Sequence, residues 1–327
     1  MSALLGGSPT ALDAVALEGS PGMQRADRAF RWFTAAAGLT VLVILAAIAV
    51  SMTQKAWPAF RHEGLDYLVS ADWNPNQNRF GALAMIYGTV VVSAIAIVVA
   101  VPISLGIALF VTQVVHRRVR TWITTVLDVL AAVPSVVFGL WGFLVLRPWI
   151  AEVYNSIADA VSGVPVLRNV FGHSSGMSFM TAGLIVALMI IPIITSIMRE
   201  VFATVPANDR DGALALGATR WEMIRGVVFP HSTGGMVGAV MLGLGRAMGE
   251  TIAVALVIGA SPQIVANLFA QGEAMPSIIA RNLNESAGLQ TAALIGLGVV
   301  LFALTILVNI AAKRLVRRID ARTLGTR

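Results

Sequence analysis

The sequence predicts an all-α polytopic membrane protein with six transmembrane helices. Three observations predict it. Of the 327 residues, 57% are hydrophobic and 12% are charged. That is half the ~25% charge of a typical soluble domain, too little to cover a water-facing surface. Six stretches reach the ~20 mainly apolar residues needed to cross the hydrocarbon layer. The segments joining them alternate between many and few basic residues.

In order, the spans fall near residues 30–53, 83–114, 123–146, 177–198, 236–259 and 289–312. The second is long enough to tilt or to run past the bilayer. Pro102, Pro134 and Pro192 lie inside spans and predict bends facing protein, where neighbouring helices satisfy the freed carbonyls. Sixteen Lys and Arg fall at the two termini and in the loops after the second and fourth spans, against six in the other loops. Basic residues mark the cytoplasmic side, so both termini and the loop at 203–230 are expected there. The loops at 54–82 and 147–176 then face outward, and their Trp57, Tyr67, Trp73, Trp149 and Tyr154 suit the headgroup region. Residues 1–24 are rich in Gly, Ser and Ala, with no Lys or Arg before Arg25. A signal peptide needs a basic start and an apolar run, so this stretch reads as a disordered cytoplasmic tail ahead of a transmembrane domain at 25–327.

Several function classes are excluded. The chain contains no cysteine, hence no disulfide framework or thiolate metal site. Its four histidines are scattered and predict no metal site. The net charge of +6 follows from the basic cytoplasmic loops and needs no nucleic acid. No Gly-x4-Gly-Lys-Ser/Thr motif is present, so the chain cannot cradle ATP phosphates, and no nucleophile–base pair suggests catalysis.

The loop at 203–230 is too long for a simple turn between membrane helices. Residues 211–226, rich in Ala, Leu, Met and Trp, predict a helix. Leu214, Ala218, Trp221 and Ile224 follow helical spacing and give an apolar stripe. Gly212 and Gly217 leave bare backbone that another surface can approach, and Pro230 ends the segment. The pattern fits a helix lying on the bilayer or one that meets a partner outside it.

A second signal is GLGRAMGETIAVALVIG at 243–259. Arg246 and Glu250 sit in the middle of an otherwise apolar span, where a lipid-exposed charge costs about 2.5–3.5 kcal/mol. At i,i+4 they share one helical face, and Gly235, Gly238, Gly243, Gly245 and Gly249 make that helix slim. The two charges either hold helices together or form an anion gate. In the second case Arg246 offers a planar fork to oxyanion oxygens. Glu250 accepts from a P–OH group, which discriminates against an ion lacking that proton. Thr251 and Ser135, the latter directly after Pro134, are further candidates for the path.

Two resemblances rest on these residues. ABC importer permeases carry a Glu-Ala-Ala, Gly, Ile-x-Leu-Pro loop. This chain is similar, with Asp211-Gly212-Ala213, Gly217 and Val227-Val228-Phe229-Pro230 at that spacing. The resemblance implies a coupling helix that docks in a cleft of an ATPase subunit. The run Gly243-Leu244-Gly245-Arg246-Ala247-Met248-Gly249-Glu250-Thr251 resembles the PstC-like, C-type permeases of Pst phosphate importers. So do Pro134-Ser135 with Gly139-Leu140-Trp141-Gly142, and Ile191-Pro192 with Met198-Arg199-Glu200. It implies a type I ABC importer permease fold in a bacterial inner membrane, with Arg246 and Glu250 critical to transport. The implied partners are a second, PstA-like permease, two PstB-like ATPase subunits that hold ATP and Mg, and a PstS-like extracytoplasmic phosphate-binding protein. No cofactor is expected in this chain. A permease for sulfate or molybdate, or a stand-alone secondary transporter, is the alternative.

Overall fold

The computed structural model describes residues 21–324. The expected tail lies outside these residues up to 20; its last four residues already belong to the first helix, α1 (Pro21–Glu63). The chain divides after Gln54. The first unit contains most of α1, whose apolar side chains from Phe30 to Val50 are exposed. At 1.5 Å per residue the 43-residue helix is about 64 Å long, twice the hydrocarbon thickness.

The second unit is a helical bundle. After the short α2 (Asp66–Val69) and a two-stranded hairpin, β1 (Trp73–Asn74) with β2 (Arg79–Phe80), come α3 (Leu83–Leu109) and α4 (Arg117–Ala132). Next are α5 (Ser135–Trp141), a π turn at Gly142–Leu146, α6 (Arg147–Val161) and α7 (Pro165–Val170). Then follow α8 (Phe179–Ala203), α9 (Ala207–Ala215), α10 (Arg220–Met223), a π turn at Ile224–Val228, α11 (Phe229–Gly249) and α12 (Ile252–Val257). The chain closes with α13 (Met275–Asn282) and α14 (Gly288–Leu324).

Among the described residues six helices are long and apolar enough to cross a membrane: Asp27–Glu63, Leu83–Val114, Ser135–Val161, Phe179–Ala203, Arg220–Gly249 and Gly288–Arg314. The number matches expectation, but two spans move. The third, expected at 123–146, breaks at Pro134 and runs from Ser135 to Val161. Val133 is extended, with φ −65° and ψ 127°, because a proline disfavours the α conformation in the residue before it. The fifth, expected at 236–259, starts at Arg220 and stops at Gly249. The aromatic residues shift accordingly. Trp57 and Trp149 are exposed, whereas Tyr67 and Tyr154 are buried. Tyr67 donates to the Ala293 carbonyl at 2.6 Å, and Tyr154 stacks on Phe269 with centroids 4.0 Å apart.

The core centres on α8, the most buried span. Its Gly183 receives Ile95 of α3, where a Cβ would come within 2.5 Å. On another side, Gly235 and Gly243 of α11 sit against Val201 and Ile194 of α8, and a Cβ at either would come within 2.6 Å. These glycines set how closely the helices pack. The Gly139–Gly142 motif works in the same way. A Cβ on Gly139 would lie 2.8 Å from Ala253 Cα, and one on Gly142 would strike Ile185. Thus α5 is held against α12, and the following π turn against α8.

The segment between α12 and α13 has no regular secondary structure. It turns at Gly259 and Ala260, both at positive φ, and runs back along the start of α8. Phe179 N–H donates to Ala270 O and Met180 N–H to Leu268 O, at 3.1 and 3.0 Å.

Candidate functional site

Arg246 and Glu250 do not share a continuous helix. The last turn of α11 carries Arg246, and Glu250 is extended, with φ −67° and ψ 128°. The apolar run hides this stop, because α12 resumes at Ile252. The two charged groups still meet across the break. Glu250 is buried; its Oε1 accepts from Ala253 N–H at 3.4 Å, so the carboxylate caps the first turn of α12. Its Oε2 lies 3.9 Å from Arg246 Nη2, and the arginine side chain is 43% exposed. That guanidinium faces a cavity of about 950 Å³ lined by Gly234, Val237, Gly238, Met241, Leu242, Gly245, Arg246, Asn309 and Lys313. Glu250 is not part of the lining. It stands behind the arginine as an orienting charge.

Thr251 is half-buried and donates to the Gly249 carbonyl at 3.1 Å. It is occupied in shaping the break. Ser135 opens α5 directly after Pro134 and is half-buried; it too stands at a break, outside the cavity lining.

The loop at 203–230 is two helices where one was expected. The first, α9, carries Asp211, Gly212 and Ala213 and ends at Ala215. Gly217 has φ +87°, the left-handed conformation that closes helices and that glycine adopts without penalty. Its N–H donates to Leu214 O at 3.0 Å, and Ala218 N–H donates to Ala213 O at 3.1 Å. Thr219 then starts α10 with a capping box. Its hydroxyl accepts from Glu222 N–H at 3.3 Å, while Glu222 Oε2 accepts from Thr219 N–H at 2.8 Å. The Thr-x-x-Glu spacing is a helix-start signature visible in sequence. Pro230 does not end the segment; it is the second residue of α11, where its missing N–H costs nothing.

Of the expected stripe, Leu214 and Trp221 are exposed and Ile224 is buried. Leu216, at the tip, is 92% exposed. Nothing lies within 4 Å of a Cβ on Gly212 or Gly217, so this side of the loop is open. Behind it, Arg199 at the end of α8 donates to Thr124 Oγ1 of α4 at 2.6 Å.

A charged cluster escaped the sequence analysis. Glu273 is 2% exposed. Its carboxylate accepts from Ser277 Oγ at 2.6 Å, from Ala274 N–H at 3.2 Å, and from Arg281 Nη2. Its carbonyl fills the space left by Gly88 of α3. Met275 N–H donates to Thr89 Oγ1 at 2.9 Å. The cluster fastens the segment between α12 and α13 onto α3. Glu273 itself precedes α13; the i,i+4 pair Ser277 and Arg281 within the helix was the available signal.

Fold and site together define a class: a multi-pass, all-α membrane subunit with a helix break after the fifth span, a guanidinium facing a cavity, and an open two-helix loop between the fourth and fifth spans. Residues 100–322 match the family described as binding-protein-dependent transport system inner membrane component, and the chain belongs to that family. It is 43% identical over 300 residues to the phosphate transport system permease protein PstC of Mesorhizobium japonicum, covering 91% of this chain and 92% of that one. It is 40% identical to the protein of the same name from Haemophilus influenzae, covering 89% and 93%. Among solved structures it resembles a chain of a bacterial alginate ABC transporter in complex with an alginate-bound periplasmic protein. The TM-score is 0.53 and the identity 15%, over 90% of this chain and 97% of that one. That likeness concerns the fold, the ABC importer permease fold.

Proposed function

We propose that the chain is a membrane-spanning subunit of an ATP-driven importer of inorganic phosphate. It sits in a bacterial inner membrane with both termini cytoplasmic and forms half of the path with a PstA-like permease. A PstS-like protein delivers phosphate to the outward segments. Two PstB-like subunits bind ATP and Mg and carry out hydrolysis, so this chain needs no cofactor and is not itself an enzyme. The loop at 203–230 meets an ATPase subunit through its open side, where Leu216 and Trp221 supply apolar contact and Asp211, Gly212, Ala213, Gly217 and Pro230 shape the fold. Closure of the ATPases on ATP then biases a two-state switch of the permease pair.

The observation that carries the reading is the Arg246 guanidinium, displayed to a cavity that has no carboxylate in its lining. A cation within an apolar span needs a counter-charge; Glu250 meets one side of the guanidinium, and the donors left facing the cavity match a tetrahedral oxyanion. Glu250 Oε2 stands 3.9 Å behind. In the state of the two-state switch that opens this carboxylate to the path, an oxyanion that keeps a proton donates to it, and one without a proton is repelled. Thr251 and Ser135 flank the path at the two helix breaks. The curated relatives named for phosphate transport support the choice of ion.

The test is uptake by the assembled complex in vesicles. Arg246→Ala is expected to lower phosphate uptake by about 10- to 100-fold, the value of one hydrogen bond to a charged group. Glu250→Gln is expected to reduce the preference for phosphate over sulfate. Normal uptake by both variants removes the pair from the path. Transport of sulfate or molybdate in place of phosphate by the unmodified complex overturns the choice of ion. Transport by the purified chain without ATPase subunits favours a stand-alone carrier.

A further inference from the structure

The cavity that displays Arg246 extends along α11 to Gly234, twelve residues or about 18 Å away. Its far wall is α14, which contributes Asn309 and Lys313. These residues are i,i+4 and so share a face. Among the described residues neither side chain makes a hydrogen bond or an ion pair, and the cavity lining contains no carboxylate. Asn309 interrupts the apolar run of the last span, where an amide lowers helix propensity. The opposite wall is open at its glycines: a Cβ on Gly234, Gly238 or Gly245 would meet nothing within 4 Å. The cavity thus has one cation at its deep end and a second cation with an amide donor on its other wall. No acidic group competes for them, and the α11 wall combines Gly234, Gly238 and Gly245 with the apolar side chains Val237, Met241 and Leu242.

We propose that Asn309 and Lys313 form a second oxyanion station, which receives the ion from Arg246 and passes it to the cytoplasm. The proposal rests on the reading that the ion meets Arg246. Its physical basis is release. A single forked guanidinium in a dry site binds an oxyanion tightly and lets it go slowly. Movement through a pathway requires sites from which the ion can leave, and more than one of them. Lysine is a strongly hydrated point charge without the guanidinium's fixed fork, and Asn309 adds one neutral donor group. The pair therefore holds the same ion more loosely and nearer the water.

The absence of cysteine makes a charge-swap test clean. Lys313→Cys is assembled into the complete importer, and uptake is measured before and after reaction with an aminoethyl or a sulfonatoethyl thiosulfonate. Unmodified complex and Arg314→Cys are treated in parallel; Arg314 adjoins Lys313 but lies outside the cavity lining. Lys313→Cys is expected to slow uptake about tenfold. The aminoethyl adduct, which restores a positive charge, is expected to recover most of the rate, and the sulfonatoethyl adduct to lower it further. Arg314→Cys is expected to respond to neither reagent. Asn309→Leu is expected to slow uptake less than Lys313→Cys. Uptake by Lys313→Cys at the unmodified rate, whichever reagent is used, overturns the proposal. Equal sensitivity at Arg314 also overturns it, because a headgroup anchor gives that result. The unmodified complex is first offered phosphate, sulfate and molybdate separately. If it carries one of the other two and not phosphate, the ion assignment fails, and the charge swap decides the second station with the ion that is carried.

Discussion

Gly217 offers a test that separates two reasons for a glycine in a docking loop. It stands at φ +87° between α9 and Thr219, and nothing in the chain lies within 4 Å of a Cβ built there. Space inside this subunit therefore sets no penalty; backbone conformation does. Holding an L-residue in the left-handed region costs about 1–2 kcal/mol, which is about a 5- to 30-fold loss in the population of the turn. A β-branched residue costs more there, and asparagine, which visits the region readily, costs little. The expected order of ATP hydrolysis stimulated by the loaded binding protein is Gly, then Asn, Ala and Val, with insertion of the subunit unchanged. The assay is reconstituted complex with each variant, ATPase activity being normalised to assembled permease. Full activity of Gly217→Val would falsify the conformational argument. If Gly217→Asn is as damaging as Gly217→Val, the partner surface requires bare backbone, and close approach is the reason for the glycine.

Two further predictions concern packing. Glu273→Gln weakens a buried ion pair; since Arg281 retains 29% side-chain exposure, the loss is expected to be about 2–3 kcal/mol, at or below the lower end for a fully buried pair. The purified complex should melt several degrees lower, and Glu273→Leu with Arg281→Leu should recover part of the loss; an unchanged melting temperature of the single variant refutes this. Gly142→Leu forces Ile185 out of its position, an overpacking cost of about 1–3 kcal/mol. It should lower thermal stability more than Gly163→Leu, where a Cβ meets nothing within 4 Å.

Composition and the count of apolar runs made the six spans legible, because both depend only on the solvent the chain must face. The ends of the third and fifth spans were not legible. Both runs stay apolar through their breaks, so hydropathy cannot register the extended backbone at Val133 or at Glu250. Pro134 was the available signal, read as a bend although its effect on Val133 was strong enough to end α4. The charged residues of the fifth span were found because charge in an apolar run is conspicuous, yet their shared face assumed a helix that stops at Gly249. The loop helices were run together because Ala and Leu before Gly217 and Ala218, Arg220, Glu222 and Met223 after it favour helix. Thr219 and Glu222 carried the missing punctuation. Glu273 went unnoticed because it lies in a segment with no periodic pattern, whose shape comes from contacts with α3 and α8 that are remote in sequence.

The fifth span has one mechanical consequence. From Arg220 to Gly249 it is one continuous helix that includes the π turn at Ile224–Val228, with Trp221 near its loop end and Arg246 near its other end, about 39 Å apart between Arg220 and Arg246. A swing of about 5° pivoting at the tip displaces the guanidinium end by about 3 Å, the length of a hydrogen bond. The extended link at Glu250 is the joint that takes up this swing, since α12 beyond it is held against α5 and need not follow.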